Sequence, residues 1–213
     1  MGAVWLAVDE RLRRPVATKQ LVLAGAATDE ERLAARILLR SEARLTARVD
    51  HPGTMRIYDV AEEAGEPWIV MEALPGRTLE AALCDQGPRS IGQVTGLGLQ
   101  LLAVLEATHR AGVVHRDVKP SNVQLCGRAR VALTDFGIAA TTLTAVVDDP
   151  PAPFLRAGPL SPVIDGLLAK DPGRRLDTDQ ARRALHAIQS GGSTRPVHVD
   201  AHRPAARKGS CRP

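Results

Sequence analysis

Aromatic side chains are scarce in this chain, with two Trp, one Tyr and two Phe among 213 residues. Nucleic-acid surfaces interleave basic residues with aromatic stacking platforms, which so few rings do not supply. The net charge is only +4, and much of it lies near the end of the sequence, where Arg195, Arg203, Arg207, Lys208 and Arg212 face only Asp200. A nucleic-acid partner is therefore not expected. Cysteine is rare too. Cys84, Cys126 and Cys211 are scattered, with neither metal-ligand spacing nor pairing logic, which suits a reducing cytoplasm. No apolar run approaches the length of a membrane span and no signal peptide opens the chain, so no membrane segment is expected. Lysine is the rarest cation: Lys19, Lys119, Lys170 and Lys208 stand against 24 arginines among the 28 Lys and Arg residues.

What is present is globular in character. Apolar residues make up 44% of the chain and charged residues 24%, enough for one domain or two small lobes around a shared core. Apolar runs at 4–8 and 16–21, joined by a charged turn, read as a hairpin. A helix is expected over 29–48, opened by Thr28-Asp29-Glu30-Glu31 in a capping-box pattern. Two more strands follow at 57–61 and 68–72. From residue 78 the periodicity becomes helical, and Val94, Leu97, Leu101, Leu105 and Thr108 form one stripe that ends at Gly112. Helices are also expected at 162–169 and 177–188, the second capped by Asp177 with Ala181, Ala184, Leu185 and Ile188 on its buried face. Residues 190–213 read as a disordered basic tail. His198 and His202 within it have i, i+4 spacing, but a Pro- and Gly-rich setting does not favour the helix that a metal site would need.

The segment richest in chemistry is His115-Arg116-Asp117-Val118-Lys119-Pro120-Ser121-Asn122, followed by Asp135-Phe136-Gly137. It sets a carboxylate, a compact cation and two hard oxygen ligands at fixed spacing, which phosphoryl transfer requires. The pattern resembles the catalytic loop and metal-binding motif of eukaryotic-type protein kinases, and closer in the bacterial serine/threonine branch. Phrases such as Val4-Trp5-Leu6-Ala7-Val8-Asp9 and Lys170-Asp171-Pro172-Gly173-Arg174-Arg175 carry the same likeness. The resemblance runs from the first residue to about residue 189. It implies an α+β fold of two lobes: a small β-rich lobe with one helix over 1–73, and a reduced helical large lobe over 74–189.

The resemblance also assigns roles. Asp117 would orient a protein seryl or threonyl hydroxyl and accept its proton, and Lys119 would neutralise the transferring phosphoryl group. Asn122 and Asp135 would hold Mg²⁺ against ATP. Val16-Ala17-Thr18-Lys19 resembles the third-strand lysine motif, with Lys19 on the α- and β-phosphates and Glu42 as its partner. Two of the four lysines thus stand where a point charge rather than a planar guanidinium is wanted. Gly2 would belong to the phosphate-covering flap. Val4 and Ala17 would cover the adenine, Met71 would close the back of its pocket, and the main chain of Glu72 and Leu74 would bond its edge. For Met71, Val4 and Ala17, ordinary core packing is an equal alternative.

Three departures bear on activity. The chain opens inside the Gly-rich flap, so the first strand and earlier glycines of the pattern are missing. Arg175 stands only forty positions after Asp135, where the family has an activation segment, an Ala-Pro-Glu motif and further helices. Arg175 would then lack its usual glutamate partner and Arg116 its phosphosite. Third, Gln124 occupies the usually apolar position beneath the adenine and must find a partner for its amide. Two readings follow: a serine/threonine protein kinase, and a catalytically impaired pseudokinase acting as a nucleotide-binding or protein-interaction scaffold. The missing segment weighs against efficient turnover, because positioning supplies most of phosphoryl-transfer catalysis. A gene fragment that folds poorly is a third possibility.

Overall fold

A computed structural model describes residues 4–20, 28–63, 66–127, 130–136 and 157–191. The first hairpin pairs β1 (Val4–Asp9) with β2 (Arg14–Gln20). Its turn is held by Asp9, whose carboxylate accepts from the backbone N–H groups of Arg11 and Leu12, both at 3.1 Å. This is the local side-chain bonding that makes Asp a turn residue. Helix α1 (Asp29–Thr46) follows, then β3 (Ile57–Glu63) and β4 (Glu66–Glu72). The four strands form an antiparallel sheet in the order β1-β2-β4-β3. Register matters here, because directly paired residues share a face. Lys19 pairs with Val4 and Ile69, and Ala17 pairs with Leu6 and Met71. These residues therefore lie on one side of the sheet.

Beyond the Glu72–Arg77 connection the chain becomes helical. Short strand β5 (Arg77–Thr78) leads into α2 (Leu79–Gln86), and α3 spans Ile91–Arg110. Ser90 and Gln93 close a reciprocal capping box at the start of α3, which satisfies two otherwise orphaned N–H groups. A single 3-10 turn (Pro120–Asn122) precedes a hairpin of β6 (Val123–Cys126) and β7 (Arg130–Leu133), and β5 completes that sheet in the order β5-β6-β7. Helix α4 (Ser161–Leu167) and helix α5 (Thr178–Gln189) end the described chain. Asp177 caps α5 as expected, accepting from Gln180 N at 2.7 Å. Ala181 and Leu185 are buried, with Ala184 and Ile188 packed beside them.

Helix α3 is the hub. Val104, Leu97, Leu101 and Leu105 join Val113, Val123, Val131, Leu133 and Phe136 in one core, while Leu102 packs with Leu160, Val163, Ala181 and Leu185 in another. Burial on two sides requires more apolar residues than a single stripe, and Val94 at the expected edge is exposed. The same demand makes α3 one helix, among the described residues, to be weighed against the expected absence of a membrane segment. By length and composition α3 could cross a bilayer; here its apolar residues supply both cores.

The two lobes meet through the loop after α1. Leu133 N donates to Gly53 O at 2.8 Å, Met55 N donates to Leu133 O at 3.4 Å, and Thr54 forms a parallel bridge with Leu133. Gly53 is required for that approach, because a β-carbon there would collide with Val104 Cγ2 and lie 3.1 Å from Val131 O. Gly76 has a similar part in the connection between the lobes: its φ is 92°, and a β-carbon would run into Leu125 O.

Candidate active site

The catalytic loop is built from within. His115 is 1% exposed, and its imidazole bonds Thr134 O through Nε2 at 2.8 Å. Its Nδ1 accepts the backbone N–H of Asp117 at 3.3 Å. These partners fix the tautomer, since a carbonyl needs the proton on Nε2 and an N–H needs a bare Nδ1. Burial pushes the imidazole below its ordinary value of 6.5, overriding the opposing pull of Thr134 O and the nearby carboxylates. The ring also packs on Phe136 with centroids 4.6 Å apart. One neutral side chain thereby joins the Asp117 loop to the Asp135 segment. Arg116 and Asp135 both hold left-handed backbone, with φ of 66° and 56°, a strain that non-glycine residues accept mostly at functional positions.

Asp117, Lys119 and Asn122 converge. Lys119 Nζ lies 2.8 Å from Asp117 Oδ2, and Asn122 Nδ2 donates to Asp117 O at 2.9 Å and to Asp117 Oδ2 at 3.0 Å. Lys119 first, and then Asn122, holds the Asp117 carboxyl below the usual carboxylate range. Asp117 raises the Lys119 ammonium in return. Both partners of the Asn122 amide nitrogen are acceptors, which settles the orientation of the group and leaves Oδ1 as the atom able to meet a cation. Thr134 ties the segment that leads into Asp135 alongside, donating to Asn122 O from its backbone N at 2.9 Å and from Oγ1 at 3.2 Å. Asp135 follows directly. Hard oxygen donors so few in number suit Mg²⁺, which keeps waters and takes phosphate oxygens as its other ligands.

From the small lobe, Lys19 Nζ reaches Asp135 Oδ1 as donor and ion pair. Glu42 lies on α1, and its side chain is outside the described residues, as are Gly2 and Gly137. Met71, Met55 and Ile69 form a buried cluster against which Ala17 and Leu74 pack. A small recess is lined by Met55, Ile69, Met71 and Phe136 together with the Lys19 and Asp135 pair. Val4 pairs with Lys19 and remains exposed. The sheet face therefore gathers Val4, Ala17, Lys19 and Met71, and Leu74 joins them from the connection.

Gln124 finds its partner in Pro75 O, at 3.4 Å from Nε2. Arg175 has partners other than a glutamate among the described residues. Its guanidinium donates to Ala169 O at 2.9 Å and to Lys170 O at 3.2 Å, so it serves carbonyls of the preceding turn. The interval after Phe136 and the pair His198 and His202 fall outside the described residues. Sequence reasoning also passed over Arg130. This side chain forks onto Glu72, with Nη1 to Oε1 at 2.7 Å and Nη2 to Oε2 at 3.0 Å. Arg130 draws the Glu72 carboxyl below its usual range. A cation heading an otherwise apolar strand was the one signal of it available in the sequence.

A cleft of this kind, with a lysine-bearing sheet above and a base, a cation and two oxygen ligands below, defines a phosphoryl-transfer fold. Residues 1–149 match the protein kinase domain family. The chain is 37% identical over 146 residues to the serine/threonine-protein kinase PknL of Mycobacterium bovis, an overlap covering 68% of this chain and 36% of that protein. It is 38% identical over 152 residues to PknA of Mycobacterium tuberculosis, covering 69% and 34%. A probable serine/threonine-protein kinase of Bifidobacterium longum is 35% identical over 148 residues, covering 69% and 19%. The chain thus spans about a third of the length of the first two relatives. It belongs to the protein kinase family, in the bacterial serine/threonine branch, whose members use ATP and Mg²⁺.

Proposed function

We propose that this chain carries the nucleotide-binding and catalytic parts of a serine/threonine protein kinase that transfers the γ-phosphate of ATP to protein hydroxyls. The observation that carries the proposal is the convergence of Asp117, Lys119 and Asn122 beside an Asp135 held by Lys19. Lys19 and Asp135 neutralise one another in the free protein. With nucleotide bound, Lys19 would turn to the phosphates, while Asp135 and Asn122 Oδ1 would hold Mg²⁺, which would supply charge neutralisation for the phosphates. Asp117 orients the attacking hydroxyl and takes its proton; it is ionised at neutral pH, and because its lowered pKa makes it a weak base its contribution is chiefly orientation. The small lobe is assigned to 1–73 and the large lobe to 74–189, and a cytoplasmic location fits free Cys84 and Cys126.

The test is incubation with γ-labelled ATP, Mg²⁺ and a generic basic protein, beside Asp117→Asn. Transfer that disappears in the variant while Mg-ATP binding persists is the expected result, and transfer that survives removes Asp117 from its role. A second reading has its own observation. Arg175 follows Asp135 by only forty positions, which leaves little chain for a platform to hold a protein substrate. Nucleotide binding without transfer, in folded protein, is the outcome that favours a pseudokinase scaffold.

A further inference from the structure

Arg130 stands where three segments meet. It is the first residue of β7, which ends two residues before Asp135. Its Nη atoms fork onto Glu72, the last residue of β4, just before the connection that would carry the adenine contacts. Its Nε donates to Pro52 O at 2.6 Å, and Nη2 also reaches Thr54 O at 3.5 Å, both in the loop at the foot of α1. Glu72 is held from its other side as well: its backbone N donates to Arg56 O at 2.8 Å, and Arg56 N lies 3.4 Å from Oε2. Four acceptors on one planar cation is a task for the guanidinium fork, which a lysine ammonium cannot reproduce.

We propose that Arg130 is a positioning residue for nucleotide: it clamps the Glu72 side chain behind the sheet, so that the main chain of Glu72–Leu74 is set toward the cleft, and it locks the α1 foot to the strand that carries Asp135. In register, Met71 faces the side shared with Ala17 and Lys19, and Glu72 points to the opposite side. The clamp therefore holds the hinge from outside the nucleotide cleft. A pair this size, partly shielded from water, acts through geometry more than through net charge.

This inference rests on the kinase reading above, so the experiment separates the two. The Mg-ADP dissociation constant is measured by calorimetry, well below each variant's melting temperature, for wild type, Arg130→Met, Arg130→Lys, Glu72→Gln/Arg130→Met and Arg182→Met. Arg182 pairs with Glu106 far along α3, so its variant reports general destabilisation alone. Expected are a roughly tenfold weakening in Arg130→Met, incomplete rescue by lysine, no further loss in the double variant, and unchanged affinity in Arg182→Met. Arg130→Met binding within about twofold of wild type overturns the proposal, as does an equal loss in Arg182→Met. Should wild type bind no nucleotide, the kinase reading falls, and amide exchange decides the clamp by itself. Faster exchange at Met55 and Leu133 in Arg130→Met supports it, and unchanged protection there overturns it.

Discussion

Replacing His115 by leucine should cost stability in a way that only a neutral, doubly bonded imidazole explains. Leucine keeps the apolar contact with Phe136 but abandons Thr134 O and Asp117 N, which the imidazole serves at 2.8 and 3.3 Å. Leaving a buried polar group without its partner costs about 1–3 kcal/mol. Two such groups, offset by no longer burying the imidazole's own polar atoms, come to about 2 kcal/mol. For a chain of this size that is a fall in melting temperature of about 4–8 °C. The pH dependence sharpens the test. Because burial lowers the folded-state pKa of His115 below 6.5, the unfolded chain takes up the proton first on acidification. The stability His115 contributes is thus fully present above pH 6.5 and is lost as pH falls from there toward the folded value. The difference in melting temperature between wild type and His115→Leu, followed by circular dichroism, should shrink between about pH 7.5 and 5.5, since all other titrating groups are common to both proteins. A difference below about 1 °C at neutral pH, or one that does not vary with pH, would refute the assignment and leave His115 as mere filling.

Gly53→Ala forces a β-carbon against Val104 Cγ2 in the core; the expected loss is about 1–3 kcal/mol, read from urea denaturation, and an unchanged midpoint would mean the loop shifts freely. Lys19→Met should weaken Mg-ATP binding at least tenfold while leaving the far-ultraviolet spectrum intact, because Lys19 is partnered by Asp135 and not by the core. Asp177→Ala removes the acceptor for Gln180 N and should cost about 1 kcal/mol, with Asp177→Asn retaining most of it.

The parts of the fold legible in the sequence were those whose signal is local. Alternation or continuous apolar runs gave the four strands of the first sheet, and 3.6-residue periodicity gave α5 within one residue and the body and end of α3, but not the break that separates α3 from α2. Hairpin β6-β7 escaped because Val-Gln-Leu-Cys and Arg-Val-Ala-Leu are too short to display a period. The site divides in the same way. Asp117, Lys119 and Asn122 lie within one motif and Asp135 heads a second, so the family resemblance that these motifs carry was enough to propose them. The Arg130 clamp joins positions 58 and 78 apart in sequence, and no window of local pattern contains both ends. Gly53 was passed over for the same reason, its requirement arising from Val104 and Val131 across the lobe boundary.

The distinction between local and distant also separates the two functional readings. Among the described residues, and apart from the Lys19–Asp135 pair, the bonds around the proposed base and metal ligands run between residues 115 and 134: His115 to Thr134 and Asp117, Asn122 to Asp117, and Thr134 to Asn122. The support beneath them comes from α3 and the β6-β7 hairpin through Val104, Val123, Val131 and Leu133. These contacts tie Asp117 and Asn122 to the strands beneath them. A short interval after Phe136 is therefore expected to remove a substrate platform without dismantling the nucleotide cleft. It follows that affinity for Mg-ATP and rate of transfer should respond independently to changes there. Inserting an activation segment from an active relative after Phe136 should leave the Mg-ADP dissociation constant within about twofold while raising transfer to a protein acceptor. A graft that changed nucleotide affinity as much as transfer would show that the cleft does depend on the interval, and the self-supporting construction argued for the catalytic loop would be wrong.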